Sequence, residues 1–113
     1  MTTWTMPPEW EPHKATWMGF PTGAYDTAGV SDDDVFDAWA QVANTVSEHE
    51  PVHMLCHPQH AKVARKKLAG VVSIHEVEID DAWLRDSGPT FVVGDAVLGG
   101  VDWVFNGWGD HTA

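Results

Sequence analysis

The spacing of apolar residues predicts alternating strands and helices along the first half of the chain. An apolar run over residues 15–20 is typical of a strand, and two glycines break the loop that follows over residues 21–29. Ser31 is a good helix N-cap, and the three aspartates after it occupy the first turn, where the helix dipole favours acids. The helix is predicted to continue to about residue 49 with one buried apolar stripe, formed by Val35, Trp39, Val42 and Val46.

The second half is predicted to add strands, a further helix and a hairpin. The elements are strand 52–56, helix 59–69 with Gly70 as its stop, strand 71–79, and the paired strands 90–93 and 96–98. The dipeptide Gly94-Asp95 is predicted to form a two-residue hairpin turn, and residues 102–105 to extend the returning strand. The order β-α-β-α-β-β-β indicates an α/β protein, and the sequence contains neither an internal repeat nor a linker.

The charge of the chain limits its partners. Seventeen acidic residues against six lysines and arginines give a formal net charge of −11. This potential repels nucleic acids and anionic membranes and attracts cations, so neither nucleic acid nor membrane is expected as a partner. No apolar run approaches the roughly 20 residues that span a bilayer, and the N-terminus lacks a secretory signal pattern. A cytoplasmic protein is expected, and its single cysteine leaves no intramolecular disulfide.

Residues 80–89, Asp-Asp-Ala-Trp-Leu-Arg-Asp-Ser-Gly-Pro, carry the densest chemistry of the chain. They form a loop between two predicted strands, where binding groups are often mounted on a rigid frame. A carboxylate accepts paired hydrogen bonds from a guanidinium ion, and the face of Trp83 can stack on its plane, so the combination suits a flat cation. In the alternative interpretation, Arg85 pairs with Asp81 or Asp86, and Trp83 packs in the core.

The motif Asp81-x-Trp83-x-Arg85-Asp86-x-Gly88-Pro89 resembles the signature of the agmatine deiminase and bacterial-type peptidylarginine deiminase family, within the guanidine-modifying pentein superfamily. Two further segments resemble that family in the same order. Residues 6–21 (Met-Pro-Pro-Glu-Trp-Glu-Pro-His-Lys-Ala-Thr-Trp-Met-Gly-Phe-Pro) resemble its N-terminal opening, and residues 104–109 (Val-Phe-Asn-Gly-Trp-Gly) the run after the signature. Together they cover the N-terminal third of such proteins, so residues 1–113 are expected to be the N-terminal fragment of a single deiminase domain.

The resemblance implies both a fold and a reaction. Family members fold as a five-bladed α/β propeller of ββαβ units, of which this α/β chain would hold somewhat more than one blade. They hydrolyse a guanidine to a urea and ammonia, as from agmatine to N-carbamoylputrescine in putrescine biosynthesis, through a thiouronium intermediate on a cysteine and without a cofactor. A small cationic guanidino substrate is therefore expected as the partner. Whether the complete enzyme is a homo-oligomer stays open.

The resemblance also assigns roles within the loop. Asp86 matches the first guanidinium-binding carboxylate, which is both catalytic and substrate-binding, and Trp83 matches the aromatic residue that lines the substrate. The expected supports of the loop are Asp81, Arg85, Gly88 and Pro89. The family's second carboxylate, histidine and cysteine have no match here, so this chain alone is expected to lack hydrolase activity. Two alternatives stay open: a non-catalytic remnant or binding and assembly module, and a peptidylarginine deiminase.

Cys56 and a group of histidines are the other candidates for chemistry. Cys56 stands in a short apolar strand with His57 on the opposite face, so packing is favoured over a role as nucleophile. Prolines interrupt any helix that could align the four neighbouring histidines, which are His49, His53, His57 and His60. A strand face shared by His53 and His57 would offer no third ligand, so no metal site is expected.

Overall fold

The computed structural model describes residues 1–23 and 29–110, so the central part of the loop predicted at 21–29 lies outside the described residues. The chain divides into two compact units, His13–Ala82 and Met1–Pro12 together with Trp83–Ala113. In chain order the elements are β1 (Thr16–Gly19), α1 (Asp32–Ser47), β2 (Val52–Cys56), α2 (Ala61–Lys67), β3 (Ser73–Glu76), α3 (Leu84–Ser87), β4 (Thr90–Gly94), β5 (Val97–Val101) and α4 (Gly107–Asp110). A 3₁₀ turn, Pro58–His60, precedes α2. Within these two ranges, no helix is both long and apolar enough to cross a membrane.

The first unit is built on a three-stranded parallel sheet with the order β1-β2-β3. Strand β2 agrees with the predicted strand 52–56 at both ends. One face of the sheet packs against α1 and α2 in the core, and its β2 residues are Val52, Met54 and Cys56. His53 and Leu55 lie on the other face and are partly exposed. Strand β3 is shorter than the predicted strand 71–79, because only four residues pair with β2.

Helix α1 begins where the sequence predicts. The Oγ of Ser31 accepts a hydrogen bond from Asp34 N at 3.1 Å, and Asp34 Oδ2 accepts one from Ser31 N at 3.2 Å. This reciprocal arrangement satisfies backbone donors at the helix start. The pKa of Asp34 is lowered chiefly because the Ser31 hydroxyl donates to Asp34 Oδ2 at 2.8 Å, and further by the bond from Ser31 N. Asp33, together with Asp37 one turn later, binds Lys67 Nζ at the end of α2. The acidic run is therefore a helix start, as predicted.

The buried face of α1 differs from the predicted stripe. The predicted residues were Val35, Trp39, Val42 and Val46, and the buried ones are Val35, Phe36, Ala40 and Ala43. Val42 is 54% exposed. The helix is turned so that Phe36 stacks on Phe20, with ring centroids 5.2 Å apart. The prediction is confirmed for Val35, which is buried, and wrong for Val42, while Val46 is partly buried against the core. Small residues such as Ala40 and Ala43 add little to an apolar pattern, so the pattern does not show the side of the helix that they occupy.

Helix α2 ends earlier than predicted. The predicted helix 59–69 is divided into the 3₁₀ turn and α2, and the chain is already extended at Leu68 (φ −83°, ψ 142°). Asn44 on α1 explains this end: its Nδ2 donates to Lys67 O at 3.1 Å, and its Oδ1 accepts from Ala69 N at 2.7 Å. The side chain thereby satisfies backbone groups that a helix end leaves open. The glycine expected as the stop is not needed for it.

The second unit contains the antiparallel hairpin of β4 and β5, whose turn lies one residue later than predicted. Gly94 pairs with Val97, so the turn residues are Asp95 and Ala96 rather than Gly94-Asp95. Gly94 is needed inside β4 for a different reason, because a Cβ there would lie 2.8 Å from the carbonyl oxygen of Thr3. Asp95 and Ala96 have positive φ angles, 49° and 63°, which are typical of a type I′ turn.

Strand β5 ends at Val101, so its predicted extension over residues 102–105 is wrong. The ladder with β4 closes where Val101 pairs with Thr90, the first residue of that strand. Beyond this point β4 offers no further partner, and Trp103 Nε1 instead donates a hydrogen bond to Thr90 Oγ1 at 2.8 Å. The length of β4 therefore limits β5.

Replacing Ala96 with glycine is expected to raise the free energy of unfolding by about 0.5–1 kcal/mol. A left-handed φ angle costs a residue that has a Cβ about 1–2 kcal/mol in the folded state, and glycine avoids this cost. Part of this gain is lost because glycine also gives the unfolded chain more conformational freedom. Urea unfolding followed by circular dichroism measures the difference. Ala38→Gly on the exposed side of α1 is the control, with an expected loss of about 1 kcal/mol. Equal losses in both variants would contradict the assigned turn.

Candidate functional site

The carboxyl ends of β1, β2 and β3 meet at one edge of the parallel sheet. Ligands of open α/β sheets bind outside this edge. Two contacts connect the segments that leave it: Thr22 Oγ1 donates a hydrogen bond to Asp80 O at 3.2 Å, and His60 Nε2 lies 3.0 Å from Thr22 O. The predicted loop, residues 80–89, therefore starts at the edge of the sheet where ligand-binding groups are expected.

Gly19 at the end of β1 allows the start of this loop to pass close to the strand. A Cβ on Gly19 would lie 3.1 Å from Ala82 Cα and 3.2 Å from Ala82 O, which is tighter than an ordinary contact. Ala82 is buried, and Asp81 just before it is partly buried. The backbone that leads to Trp83 is therefore packed against β1.

The segment after Ala82 contains a single helical turn, α3, where the sequence predicts an irregular loop. The backbone N–H groups of Asp86 and Ser87 both donate to Trp83 O, at 3.2 and 3.1 Å. Gly88 N donates to Leu84 O at 2.7 Å, and a Cβ on Gly88 would lie 2.5 Å from that oxygen. A glycine is therefore required where the turn ends, before Pro89 leads into β4.

Trp83 stands at the N-cap of this turn with non-helical angles (φ −80°, ψ 70°), and Asp86 lies three residues later inside the turn. Both side chains are exposed, and Trp83 is 47% exposed. The alternative in which Trp83 packs in the core is therefore wrong. An exposed indole beside an exposed carboxylate can stack on and bind a flat cation. The assignment of Asp86 and Trp83 to a substrate stays a prediction.

Arg85 pairs with Glu9, an acid outside the loop, and not with the partners named in the alternative interpretation. Glu9 belongs to the N-terminal segment 6–21, so the ion pair joins two of the three sequence motifs. Both side chains are largely exposed, and such pairs contribute about 0–1 kcal/mol. Sequence reasoning missed Glu9 because no local pattern links residues so far apart in the chain.

Cys56 is a core residue at the end of β2. It is fully buried in the hydrophobic cluster, and its thiol donates to His57 O at 3.4 Å. Loss of contact with water, followed by the charge of Glu76, raises the pKa of the thiol to about 11. A buried and protonated thiol is a poor nucleophile at neutral pH. The predicted packing role of Cys56 is confirmed.

The Cys56 thiol is expected to react slowly with iodoacetamide in the folded chain. A pKa of about 11 instead of 9.0 lowers the thiolate fraction at pH 8 by about a hundredfold, and burial slows access further. Mass spectrometry over time measures the alkylation rate. The same chain in urea is the control, since unfolding restores an ordinary thiol. Equal rates in buffer and in urea would contradict the burial of Cys56.

The histidines lie in different environments. His57 Nδ1 accepts a hydrogen bond from Gln59 N at 3.2 Å and caps the 3₁₀ turn. His53 lies on the open face of the sheet, where it contacts Trp17 and His75. Sequence spacing did not point to His75, because strand pairing brings it beside β2. Across residues 1–23 and 29–110, no three side chains of metal-ligating type come together.

Comparisons with known proteins extend over nearly the whole chain. A Streptomyces coelicolor protein, whose name assigns it provisionally as an agmatine deiminase, is 49% identical over an alignment 114 residues long that covers 95% of this chain and 32% of that protein. The agmatine deiminase of Pseudomonas aeruginosa is 42% identical over 106 residues, 92% of this chain and 28% of that protein. The chain therefore spans less than a third of the length of these relatives.

The solved agmatine deiminase of Enterococcus faecalis is similar with a TM-score of 0.84 and 34% identity, over 94% of this chain and 29% of that one. The Campylobacter jejuni agmatine deiminase, at 21% identity and a TM-score of 0.78, supports the fold alone, over 94% of this chain and 33% of that one. The predicted fold, α/β and part of a five-bladed α/β propeller, is confirmed. Residues 5–113 match the Porphyromonas-type peptidyl-arginine deiminase family, and the chain belongs to that family.

Proposed function

We propose that residues 1–113 are the N-terminal part of a single guanidine deiminase domain, which in the complete enzyme hydrolyses agmatine to N-carbamoylputrescine and ammonia. The observation that carries the proposal is the exposed indole of Trp83 at the N-cap of α3, three residues before the exposed carboxylate of Asp86 inside that turn. Relatives named as agmatine deiminases support the choice of agmatine. Such an enzyme would act in the cytoplasm in putrescine biosynthesis.

In this proposal Asp86 binds the guanidinium group and Trp83 stacks against it. The two carboxylate oxygens of Asp86 accept parallel N–H bonds, which fixes the plane of the cation and balances its charge. The indole of Trp83 covers one face of that plane. A guanidinium ion held in this way presents its central carbon to a nucleophile from the face that the indole leaves open.

The remaining residues of the motif would hold this turn in place. The backbone around Asp81 and Ala82 is packed beside β1, and Arg85 is paired with Glu9. Gly88 permits the tight end of the turn, and Pro89 fixes the backbone that enters β4.

The chemical step requires groups that residues 1–113 do not supply in this proposal. The family resemblance implies a cysteine thiolate that attacks the guanidinium carbon, a histidine that transfers protons, and a second carboxylate, without any cofactor. Cys56 does not fit the first role, because it is buried and its thiol stays protonated. Residues 1–113 would therefore bind and orient the substrate, and the remainder of the enzyme would react with it.

The test is to express the reading frame that contains residues 1–113 together with any coding sequence after Ala113. The complete product is expected to release ammonia and N-carbamoylputrescine from agmatine, and residues 1–113 alone to release none. A panel of agmatine, free arginine and a peptidylarginine separates the substrate classes. A complete product inactive on all three would contradict the proposal, as would ammonia release by residues 1–113 that Cys56→Ala abolishes. A frame that stops at Ala113 would favour a binding module.

A further inference from the structure

The open face of the three-stranded sheet carries a cluster of three aromatic side chains, Trp17, His53 and His75. The indole of Trp17 stacks on His53 with ring centroids 4.4 Å apart and on His75 at 5.4 Å, at interplanar angles of 17° and 25°. His53 Nδ1 and His75 Nε2 are 2.9 Å apart. Trp17 is half exposed, His53 is partly exposed and His75 is exposed, so water reaches the cluster.

Parallel pairing of β2 with β3 produces this arrangement. His53 is opposite Ser73, and Leu55 is opposite His75, so the two histidines are diagonal neighbours on one face of the sheet. Their rings approach each other across this diagonal, a distance that long side chains can bridge. Two paired strands therefore hold the two imidazoles side by side, and the indole of Trp17 stacks on both of them.

The separation of the two ring nitrogens matches a particular metal geometry. With metal–nitrogen bonds of about 2.0–2.1 Å, two nitrogens 2.9 Å apart subtend about 90° at the metal. This is the angle between neighbouring ligands in a tetragonal or square-planar site, which Cu²⁺ and Ni²⁺ prefer. A tetrahedral ion would need the nitrogens about 3.3 Å apart.

We propose that His53 and His75 form a two-histidine site for a divalent transition-metal ion of tetragonal preference, for which Cu²⁺ is the probe. His53 would bind through Nδ1 and His75 through Nε2, with water in the other positions, after each ring turns so that its lone pair points at the ion and not at the other ring. Only one of the two facing nitrogens carries a proton in their hydrogen bond, so the donor ring moves that proton to its outer nitrogen when the metal binds. This change of tautomer alters the charge of neither ring, and the net charge of −11 favours the cation.

The test is calorimetric titration of the chain with Cu²⁺, combined with electron paramagnetic resonance of the bound ion. One ion per chain is expected at the tightest site, with a spectrum that reports two imidazole nitrogens. His53→Ala and His75→Ala should each weaken binding by about tenfold or more, because each removes one of the two ligands. Zn²⁺ should bind more weakly than Cu²⁺.

Two control variants test whether Cu²⁺ binds at His53 and His75 and not elsewhere on the chain. His49→Ala removes an exposed histidine outside the cluster and should leave Cu²⁺ binding unchanged. Trp17→Phe should keep the binding but lose much of the fluorescence quenching that a nearby Cu²⁺ ion causes. The proposal fails if His49→Ala weakens binding as much as His53→Ala, if the His53→Ala/His75→Ala double variant binds normally, or if the spectrum reports a single nitrogen.

Discussion

In the complete enzyme, Asp86→Asn is expected to lower kcat/KM for agmatine by about a hundredfold or more. Asparagine keeps the shape of the side chain, but its amide donates hydrogen bonds where the carboxylate accepts them, and it carries no charge. Asp86 is exposed in residues 1–113, and the proposal places its contact in a site that the rest of the enzyme and the substrate bury, where loss of a charge-assisted contact costs about 2–5 kcal/mol. The contact would hold the guanidinium from the ground state to the transition state, so both binding and catalysis should suffer. Steady-state kinetics with agmatine measure the effect.

Two variants of the same turn serve as controls for this prediction. Trp83→Phe keeps an aromatic face and should cost less than about tenfold in kcat/KM. Arg85→Lys keeps a cation near Glu9 in an exposed ion pair worth about 0–1 kcal/mol, so kinetics and Tm should change little. If Asp86→Asn retained nearly full activity, the family's guanidinium-binding carboxylate would have been placed on the wrong residue, and Asp81 would be tested next.

The residue types of the candidate site can be read from the sequence, but their geometry cannot, and their role toward a substrate stays a prediction. Residue types fixed at short spacing, such as Trp83 and Asp86, are visible in the motif, and their exposure follows from their place between two strands. The helical turn was missed because the cluster of charges, with Gly88 and Pro89, is also typical of an irregular loop. The Glu9 partner of Arg85 and the approach of Gly19 to Ala82 depend on tertiary contacts, which no local spacing encodes.

The boundaries of helices and strands likewise divide into those set by local sequence and those set by tertiary contacts. The bounds of β2 and the capping of α1 by Ser31 were predicted because alternation and capping act within a few residues. The sequence predicts the hairpin turn one residue early because Gly-Asp is a usual turn pair, whereas Gly94 lies inside β4, where a Cβ would meet Thr3. The early end of α2 depends on Asn44, a residue of another helix. Such contacts shift element boundaries without changing the order of elements.

Phe36→Ala is expected to lower the free energy of unfolding by about 3–5 kcal/mol, the largest effect on stability predicted for this chain. Phe36 is 7% exposed, and its ring packs on Phe20 and on His60, with centroids 5.2 and 5.4 Å away. Truncation to alanine removes these contacts and leaves a cavity, because the parallel sheet beneath the ring cannot move in to fill it. Urea unfolding followed by circular dichroism measures the loss.

Val42→Ala is the matched control, because Val42 lies on the same helix and belongs to the stripe that the apolar pattern predicts. At 54% exposure it should cost less than about 1 kcal/mol. A total stability of about 5–15 kcal/mol is usual for domains, so Phe36→Ala could leave too little folded protein to measure. Phe36→Leu then replaces it, with an expected loss of about 1–1.5 kcal/mol that still exceeds the control. If Val42→Ala destabilised the chain as much as either Phe36 variant, α1 would pack with the predicted stripe after all, and the rotation that brings Phe36 onto Phe20 would be wrong.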